Sequence, residues 1–310
     1  MSSVSAAVTV KPKKKGFSKI WMENKTGWGF LTPFMILFLI FTVLPVFVAM
    51  GLSFTDYNMI QTPNFTGVQN YKLLFLDDDV FIIAVQNTLL FALIIGPAGY
   101  IMSFGMAWFI SLAKRGRGPL ALAFYAPSLT SGTAMSVIWL VIFSGDRTGY
   151  LNHILIRIGL ISDPILWSKD PQYILPVIVI ISAWMSMGTG FLVFLAGLQN
   201  IDPELYEAGK VDGIKNPFQQ LFYITLPLMK PQLLFGAINS IVSSLAVFDV
   251  ATAVAGFPSP NYAAHTIVAH LYDYAFTRFS MGYASAIAMF LFVLTFSLGR
   301  ICMRIFRSDD

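Results

Sequence analysis

The chain has 310 residues, of which 56% are hydrophobic and only 12% charged, with a formal net charge of +4 and a mean hydropathy of +0.69. A soluble domain carries roughly 25% charged residues. This composition leaves too little charge to cover a water-facing surface, so lipid must solvate much of the chain. The positive charge does not point to nucleic acid, because Lys and Arg gather in short blocks between apolar runs and form no basic stripe with interleaved aromatics. A single cysteine, Cys302, excludes an internal disulfide and any cysteine metal cluster.

Residues 1–26 form a polar, basic tail with Lys11, Lys13, Lys14 and Lys15 in one cluster. The apolar run after it, Gly27 to about Phe54, is far longer than the h-region of a signal peptide and spans a bilayer. Five more apolar runs follow, at about 80–113, 119–143, 173–198, 233–255 and 281–306, each reaching the roughly 20 residues a crossing needs. Several carry Pro or Gly (Gly96-Pro97, Pro127, Pro176, Gly188), which lipid tolerates where neighbouring helices or water satisfy the freed backbone groups. The expectation is an all-α membrane protein with about six transmembrane helices in a single membrane domain, 27–310.

Orientation follows from the basic residues. With the N-terminus inside, the outer segments hold only Lys72, Arg147, Arg157, Lys169 and Arg278 of the 20 Lys and Arg. The bias of the others toward the inner segments predicts a multi-pass protein of the cell membrane with both termini cytoplasmic. The outer loops, at about 55–79, 144–172 and 256–280, are too small to fold as independent domains.

The loop between the fourth and fifth runs, about 199–232, is strongly punctuated. Asp202-Pro203 reads as an N-cap followed by Pro at the first helical position. A short helix over Glu204–Asp212 follows, and Gly213 can supply a left-handed terminating residue. Asn216-Pro217 restarts a helix, with Gln219 completing a capping box. Phe218, Leu221 and Phe222 lie on one helical face, and Pro227 is expected to end that helix. By itself this could be an amphipathic connector lying on the membrane surface.

The residues of this loop also carry a resemblance. Glu207-Ala208-Gly209-Lys210-Val211-Asp212-Gly213, followed by Ile224-Thr225-Leu226-Pro227 and Pro231, resembles the EAA motif of binding-protein-dependent ABC importer permeases. Gly209 stands where the second Ala is usual. Further along, Trp139, Phe143, Gly149 and Asn152, then Phe248-Asp249 with Gly256-Phe257-Pro258, then Tyr272, Ala275-Phe276 and Met281-Gly282-Tyr283-Ala284, are similar to stretches of the carbohydrate subfamily, the maltose and glycerol-3-phosphate type. Phe257 departs from that pattern, which has a second Gly.

The resemblance implies the type I ABC importer permease fold with a cytoplasmic coupling loop, and a division of labour. The chain has no G-x-x-x-x-G-K-[ST] phosphate loop, so no cofactor is expected on it; ATP and Mg would sit on two partner ATP-binding subunits. The other implied partners are a second homologous permease, an extracytoplasmic solute-binding protein, a sugar and membrane lipid. Glu207, Ala208, Gly209, Asp212, Gly213, Leu226 and Pro227 would couple to the ATPase. Gly213 would allow close approach, Glu207 would fix the first short helix by a charge-assisted hydrogen bond, and Ala208 and Gly209 would keep the docking face thin.

A neutral sugar needs small polar side chains beside an apolar or aromatic face. Ser182 and Ser186 share one helical face, with Met185 beside them, and Asn239 and Ser243 share another. They are either substrate contacts or interhelical hydrogen-bonding groups. Asp249 falls near the outer end of the fifth run, as an outer gate, a structural partner or a substrate contact. Asp77-Asp78-Asp79 reads as N-terminal helix charge or a binding-protein contact, and His153, His265 and His270 show no metal-ligand spacing. The competing functions are the same machinery carrying glycerol-3-phosphate or another polar solute, an ion-coupled secondary transporter with midplane carboxylates, and a non-transporting anchor.

Overall fold

The computed structural model describes residues 25–113 and 115–306. The basic tail lies almost wholly outside the described residues, as do Lys114 and Arg307. Among the described residues the chain is helical, with one isolated β-bridge, Thr55 to Phe65.

It divides into two units, residues 1–51 and 52–310. In the first, α1 (Lys25–Phe38) continues through a π-helical turn (Leu39–Val43) into α2 (Leu44–Leu52). Pro33 sits inside α1, where Thr32 Oγ1 donates to Trp28 O at 2.6 Å. The second unit holds α3 (Gln69–Lys72), α4 (Asp79–Leu112), α5 (Arg117–Leu129), α6 (Gly132–Ile142), α7 (Tyr150–Arg157), α8 (Pro171–Met185) and α9 (Thr189–Gln199). Then come α10 (Pro203–Val211), α11 (Pro217–Gln220), α12 (Leu226–Leu228), α13 (Lys230–Leu245), α14 (Asp249–Ala255), α15 (Ile267–Tyr272) and α16 (Met281–Phe306).

Five helical stretches are long and apolar enough to cross a membrane, and six if the bent pair α5 and α6 forms one span. That pair turns by 98°. Only three of the six runs read from sequence stay unbroken. The other three split into half-helices: α5 and α6 at Thr130-Ser131, α8 and α9 at Ser186–Gly188, α13 and α14 at Ala246–Phe248. Pro97 and Pro176 break nothing, since α4 runs through the first and α8 through the second. Polar residues take over at the first two breaks, while the third, Ala246–Phe248, is apolar. Ser131 caps α6 by accepting from Ala134 N, and Ser186 Oγ donates to Ala183 O at 2.6 Å.

α4 is the axis of the second unit. Its 34 residues span about 51 Å at 1.5 Å per residue, well beyond a hydrocarbon core of roughly 30 Å. It supplies side chains to three successive clusters: Phe81 with Leu74, Ile267, Tyr283 and Ile287; Phe91 and Ile95 with Ile174, Ile178 and Ile181; and Ala107, Trp108 and Ile110 with Phe191, Phe194, Leu221 and Met229. The main cavity lies between the second and third.

Two local expectations are corrected. Pro227 does not end the helix begun at Pro217. A π-helical turn (Leu221–Thr225) widens the backbone just ahead of it, and the chain stays helical through α12 into α13, with only Met229 between them (φ −93°, ψ 8°). The wider turn spaces out the carbonyls that the proline ring would meet in an α-helix. Nor do Phe218, Leu221 and Phe222 act as one face. Leu221 is buried, whereas Phe218 and Phe222 are exposed and Phe218 packs its ring 5.2 Å from Trp108.

Candidate functional site

The cavity has a volume of about 380 Å³ and is walled by α4, the two halves of the fourth run and the two halves of the fifth. All five side chains singled out for substrate contact, Ser182, Met185, Ser186, Asn239 and Ser243, line it. Sequence reasoning missed Tyr100, Ser103 and Thr189, which line it too. One of these, Ser103, could have been found, because Gly96, Gly99 and Ser103 recur at helical spacing on one face of α4, the pattern of close helix packing. At Gly99 an added Cβ would stand 2.9 Å from the Ser186 Cβ, so α4 and the break at Ser186 touch there. No lining residue carries a charge.

The polar atoms of this lining fall into two sets. In the first, each finds a backbone partner: Ser103 Oγ donates to Ser186 O (3.1 Å), Ser186 Oγ to Ala183 O, Ser240 Oγ to Gly96 O (2.7 Å), Ser244 Oγ to Ile241 O (3.0 Å) and Tyr100 Oη to Leu233 O (3.3 Å). The Ser103, Ser240 and Tyr100 bonds hold the broken spans to α4, and the Ser186 and Ser244 bonds stay within their own helices. In the second set, Ser182, Thr189, Asn239 and Ser243 have side chains with no hydrogen-bond partner among the described residues, and the Ser182 hydroxyl is buried. Ser186 thus belongs to the framework. The other three polar candidates remain free to contact a bound molecule, with Phe91, Met185 and Phe194 as apolar walls.

Asp249 is not held within a continuous crossing. It is the first residue of α14, and it is exposed. Gly132, the first residue of α6, lies against it, with an added Cβ 3.2 Å from the Asp249 Cβ. A carboxylate at the start of one half-helix and beside the start of another is favoured by the partial positive charge of both.

The 199–232 loop forms largely as its caps dictate. Asp202 accepts from Glu204 N at 3.0 Å, Asn216 accepts from Phe218 N at 3.0 Å, and the Asn216 N–H donates to Gln219 Oε1. Gly213 takes φ +94° and is exposed, with nothing within 4 Å of an added Cβ. Glu207 and Ala208 are exposed, and Glu207 makes no hydrogen bond or ion pair among the described residues. Gly209 departs from expectation. It is buried, and an added Cβ would lie 2.6 Å from Ile224 Cδ1, so its small size seats α10 on the π-turn instead of thinning an outer face. Asp212 caps the end of α10 and is exposed; Leu226 is half-buried and Pro227 exposed.

A second polar cluster lies at the opposite end of α4. Asp78 is the N-cap residue: Oδ1 accepts from Phe81 N at 2.9 Å. Its Oδ2 accepts from His270 Nε2 (3.0 Å), Tyr274 Oη (3.3 Å) and Tyr283 Oη (2.7 Å). His265 Nε2 lies 3.1 Å from His270 Nδ1. An ionised carboxylate only accepts, so His270 carries its proton on Nε2, and His265 donates from Nε2 to His270 Nδ1. Burial raises the Asp78 pKa, but the bonds from Tyr283, Phe81 N and His270 outweigh it and leave the carboxyl below its usual range. Burial, then the neighbouring His270, lowers His265 to about 4, and burial also lowers His270. The sequence reading of the Asp77–Asp79 run as helix-terminal charge describes one oxygen of Asp78 and misses the other.

Comparison with known proteins decides the family. Residues 20–307 match the family described as binding-protein-dependent transport system inner membrane component. The chain belongs to this family. The permease is 34% identical to the probable ABC transporter permease protein YesP of Bacillus subtilis (strain 168), with 93% of this chain and 91% of that protein covered. It is 32% identical to the lactose transport system permease protein LacF of Rhizobium radiobacter, covering 84% of this chain and 87% of that one. Its fold matches a chain of a bacterial alginate ABC transporter solved in complex with an alginate pentasaccharide-bound periplasmic protein. The TM-score is 0.79 and the identity 23%, over 94% of this permease and 97% of that chain.

Proposed function

We propose that this inner-membrane permease carries a neutral saccharide through the cavity around Asn239, and that partner ATPases drive it through the 199–232 loop. One observation carries the reading: the lining is uncharged, yet four of its side chains, Ser182, Thr189, Asn239 and Ser243, keep unpaired hydrogen-bonding groups beside apolar walls. A molecule rich in hydroxyls matches such a surface, because an amide and three hydroxyls both donate and accept. The sugar cargo in the LacF name supports the same class. An anionic cargo such as glycerol-3-phosphate would call for Arg or Lys in the lining, and an ion-coupled mechanism for a carboxylate there.

ATP and Mg belong on two partner subunits, and a second homologous permease and an extracytoplasmic binding protein complete the importer. The loop end lies in the cytoplasm with both termini. Gly213, exposed at φ +94° between two capped helices, offers a flat docking point to the ATPase. When the ATPases close on ATP, the loop moves and the half-helices rearrange around the cavity, which is the alternating-access scheme for a site at broken helices.

Uptake of neutral disaccharides and of glycerol-3-phosphate by membrane vesicles holding the whole importer tests the cargo. Saccharide uptake that Asn239→Ala weakens is expected, and glycerol-3-phosphate uptake alone would overturn the reading. Gly213→Asp should leave ATP hydrolysis running while uptake fails, and normal uptake would remove the loop's assigned role. Reporter fusions after Asp310 and within 58–69 test the orientation, where a cytoplasmic signal from the second would reverse it.

A further inference from the structure

A hydrogen-bonded pair in the loop, half-buried at Tyr206 and buried at Thr225, joins the docking helix to the cavity wall. Tyr206 Oη lies 3.0 Å from Thr225 Oγ1, across 19 residues of chain. Thr225 is buried, and its hydroxyl donates to Gln220 O at 3.2 Å. A threonine hydroxyl has one proton. With that proton on Gln220 O, the Tyr206 hydroxyl must be the donor to Thr225. The chain of bonds therefore runs from α10, through Tyr206 and Thr225, to the carbonyl at the end of α11.

The positions of the two residues give the pair its mechanical meaning. Tyr206 precedes the exposed Glu207 and Ala208 on α10. Thr225 is the last residue of the π-turn, and the backbone beyond it continues through α12 into α13, which carries Asn239 and Ser243. One turn farther along α10, Gly209 rests on Ile224. The contact between α10 and the π-turn thus combines one close-packed point, Gly209 on Ile224, and one directional bond, Tyr206 to Thr225.

We propose that Tyr206 and Thr225 form a strut that positions α10 on the π-turn and transmits movement of the docking helix to the cavity wall. This rests on the coupling role proposed above for the loop. Apolar packing alone resists compression but slides under shear, whereas a buried hydrogen bond with fixed geometry resists both. A displacement of α10 without the strut would be absorbed between α10 and the π-turn, and α13 would stay in place.

The test needs no knowledge of the cargo. In the assembled importer, with Cys302→Ala as background, Ser243→Cys is labelled with a membrane-impermeant maleimide with and without ATP, and ATP hydrolysis is measured alongside. The parent should change its labelling rate several-fold on ATP addition. Tyr206→Phe and Thr225→Val, each of which removes a hydroxyl and keeps the shape, should at least halve that change while hydrolysis continues. The double variant should be no worse than either single variant, because all three lose the same bond. Full ATP-driven change in both single variants, with Gly213→Asp still losing it, overturns the strut and leaves the coupling loop standing. Strictly additive losses in the double variant also overturn it. If Gly213→Asp keeps the full change as well, the loop does not couple and the strut falls with it.

Discussion

Two polar regions of this apolar permease, the Asp78 carboxylate and the Asn239 cavity, treat their oxygen atoms differently. Around Asp78, both carboxylate oxygens are engaged, one by the nearby Phe81 N–H and the other by three side chains from a distant part of the chain. Around Asn239, Ser182, Thr189, Asn239 itself and Ser243 have no side-chain hydrogen-bond partner among the described residues. Of these four the Ser182 hydroxyl is buried, and an unmade hydrogen bond at a buried group costs about 1–3 kcal/mol, so this hydroxyl is polarity that packing does not require. The Asp78 cluster is a clasp between the start of α4 and the segment that holds His270, Tyr274 and Tyr283, and the cavity presents the polar atoms that the proposed saccharide would use.

The largest effect that could break this contrast is at Asp78. Asp78→Leu strands the His270, Tyr274 and Tyr283 donors in a buried place and removes the α4 cap, for a loss on the order of 3 kcal/mol or more. The expected outcome is a marked drop in thermal stability and in yield of assembled importer, with uptake falling only as the amount of protein falls. A stable importer with defective uptake would place Asp78 in the transport path.

Acid titration sharpens the same point. The folded pKa of His265, about 4, lies below its unfolded value of 6.5. Its contribution is therefore complete above pH 6.5 and lost as pH falls from 6.5 toward 4, where the unfolded chain takes up a proton that the folded one refuses. His270 acts in the same direction. Asp78, with its folded pKa lowered, adds a loss below about 3.8. Thermal melts of the detergent-solubilised importer should show stability decreasing across pH 6.5 to 4, and His265→Gln should flatten that slope.

At the cavity the signs reverse. Asn239→Ala should leave stability within about 0.5 kcal/mol and lower uptake per importer by roughly tenfold, the equivalent of about 1.4 kcal/mol. Melting temperature and initial uptake rate on the same preparation separate the two. The finest comparison is between the neighbouring serines: Ser186→Ala should cost stability, about 1 kcal/mol, with uptake per importer nearly kept, and Ser182→Ala should reduce uptake a few-fold without that cost.

Much of this was legible in the residues. The loop is a contiguous stretch whose caps act locally, so Asp202-Pro203, Asn216-Pro217 and Gly213 could be read in order and appear as read. The cavity residues were legible as polar faces, because helical spacing places Ser182 near Ser186 and Asn239 near Ser243. What spacing does not encode is whether a hydroxyl is already spent on a carbonyl of the break beside it, which is why Ser186 and Ser182 looked alike. The helix breaks themselves hid behind apolar composition, since hydropathy counts methyl groups and not backbone angles. Pro227 misled for a related reason: a proline needs only that the backbone ahead of it be widened, and the π-turn does this without ending the helix. The clasp was the least legible, because its members lie up to 205 residues apart.

That separation has a consequence for how the protein is made. Asp78 is synthesised long before its partners, and Tyr283 enters only with the final span. Gly282, beside it, fits so closely against the Thr55 carbonyl that an added Cβ would overlap it, and its N–H donates to Tyr57 O at 2.9 Å. The last span therefore docks onto a seat built by the first third of the second unit, at Thr55, Tyr57 and Asp78. A chain that stalls before residue 281 inserts most of its spans but leaves an incompletely paired carboxylate at the end of α4. The order of synthesis is thereby written into the fold: Asp78 caps α4 at once through Phe81 N, and its second oxygen is fully paired only when α16 docks.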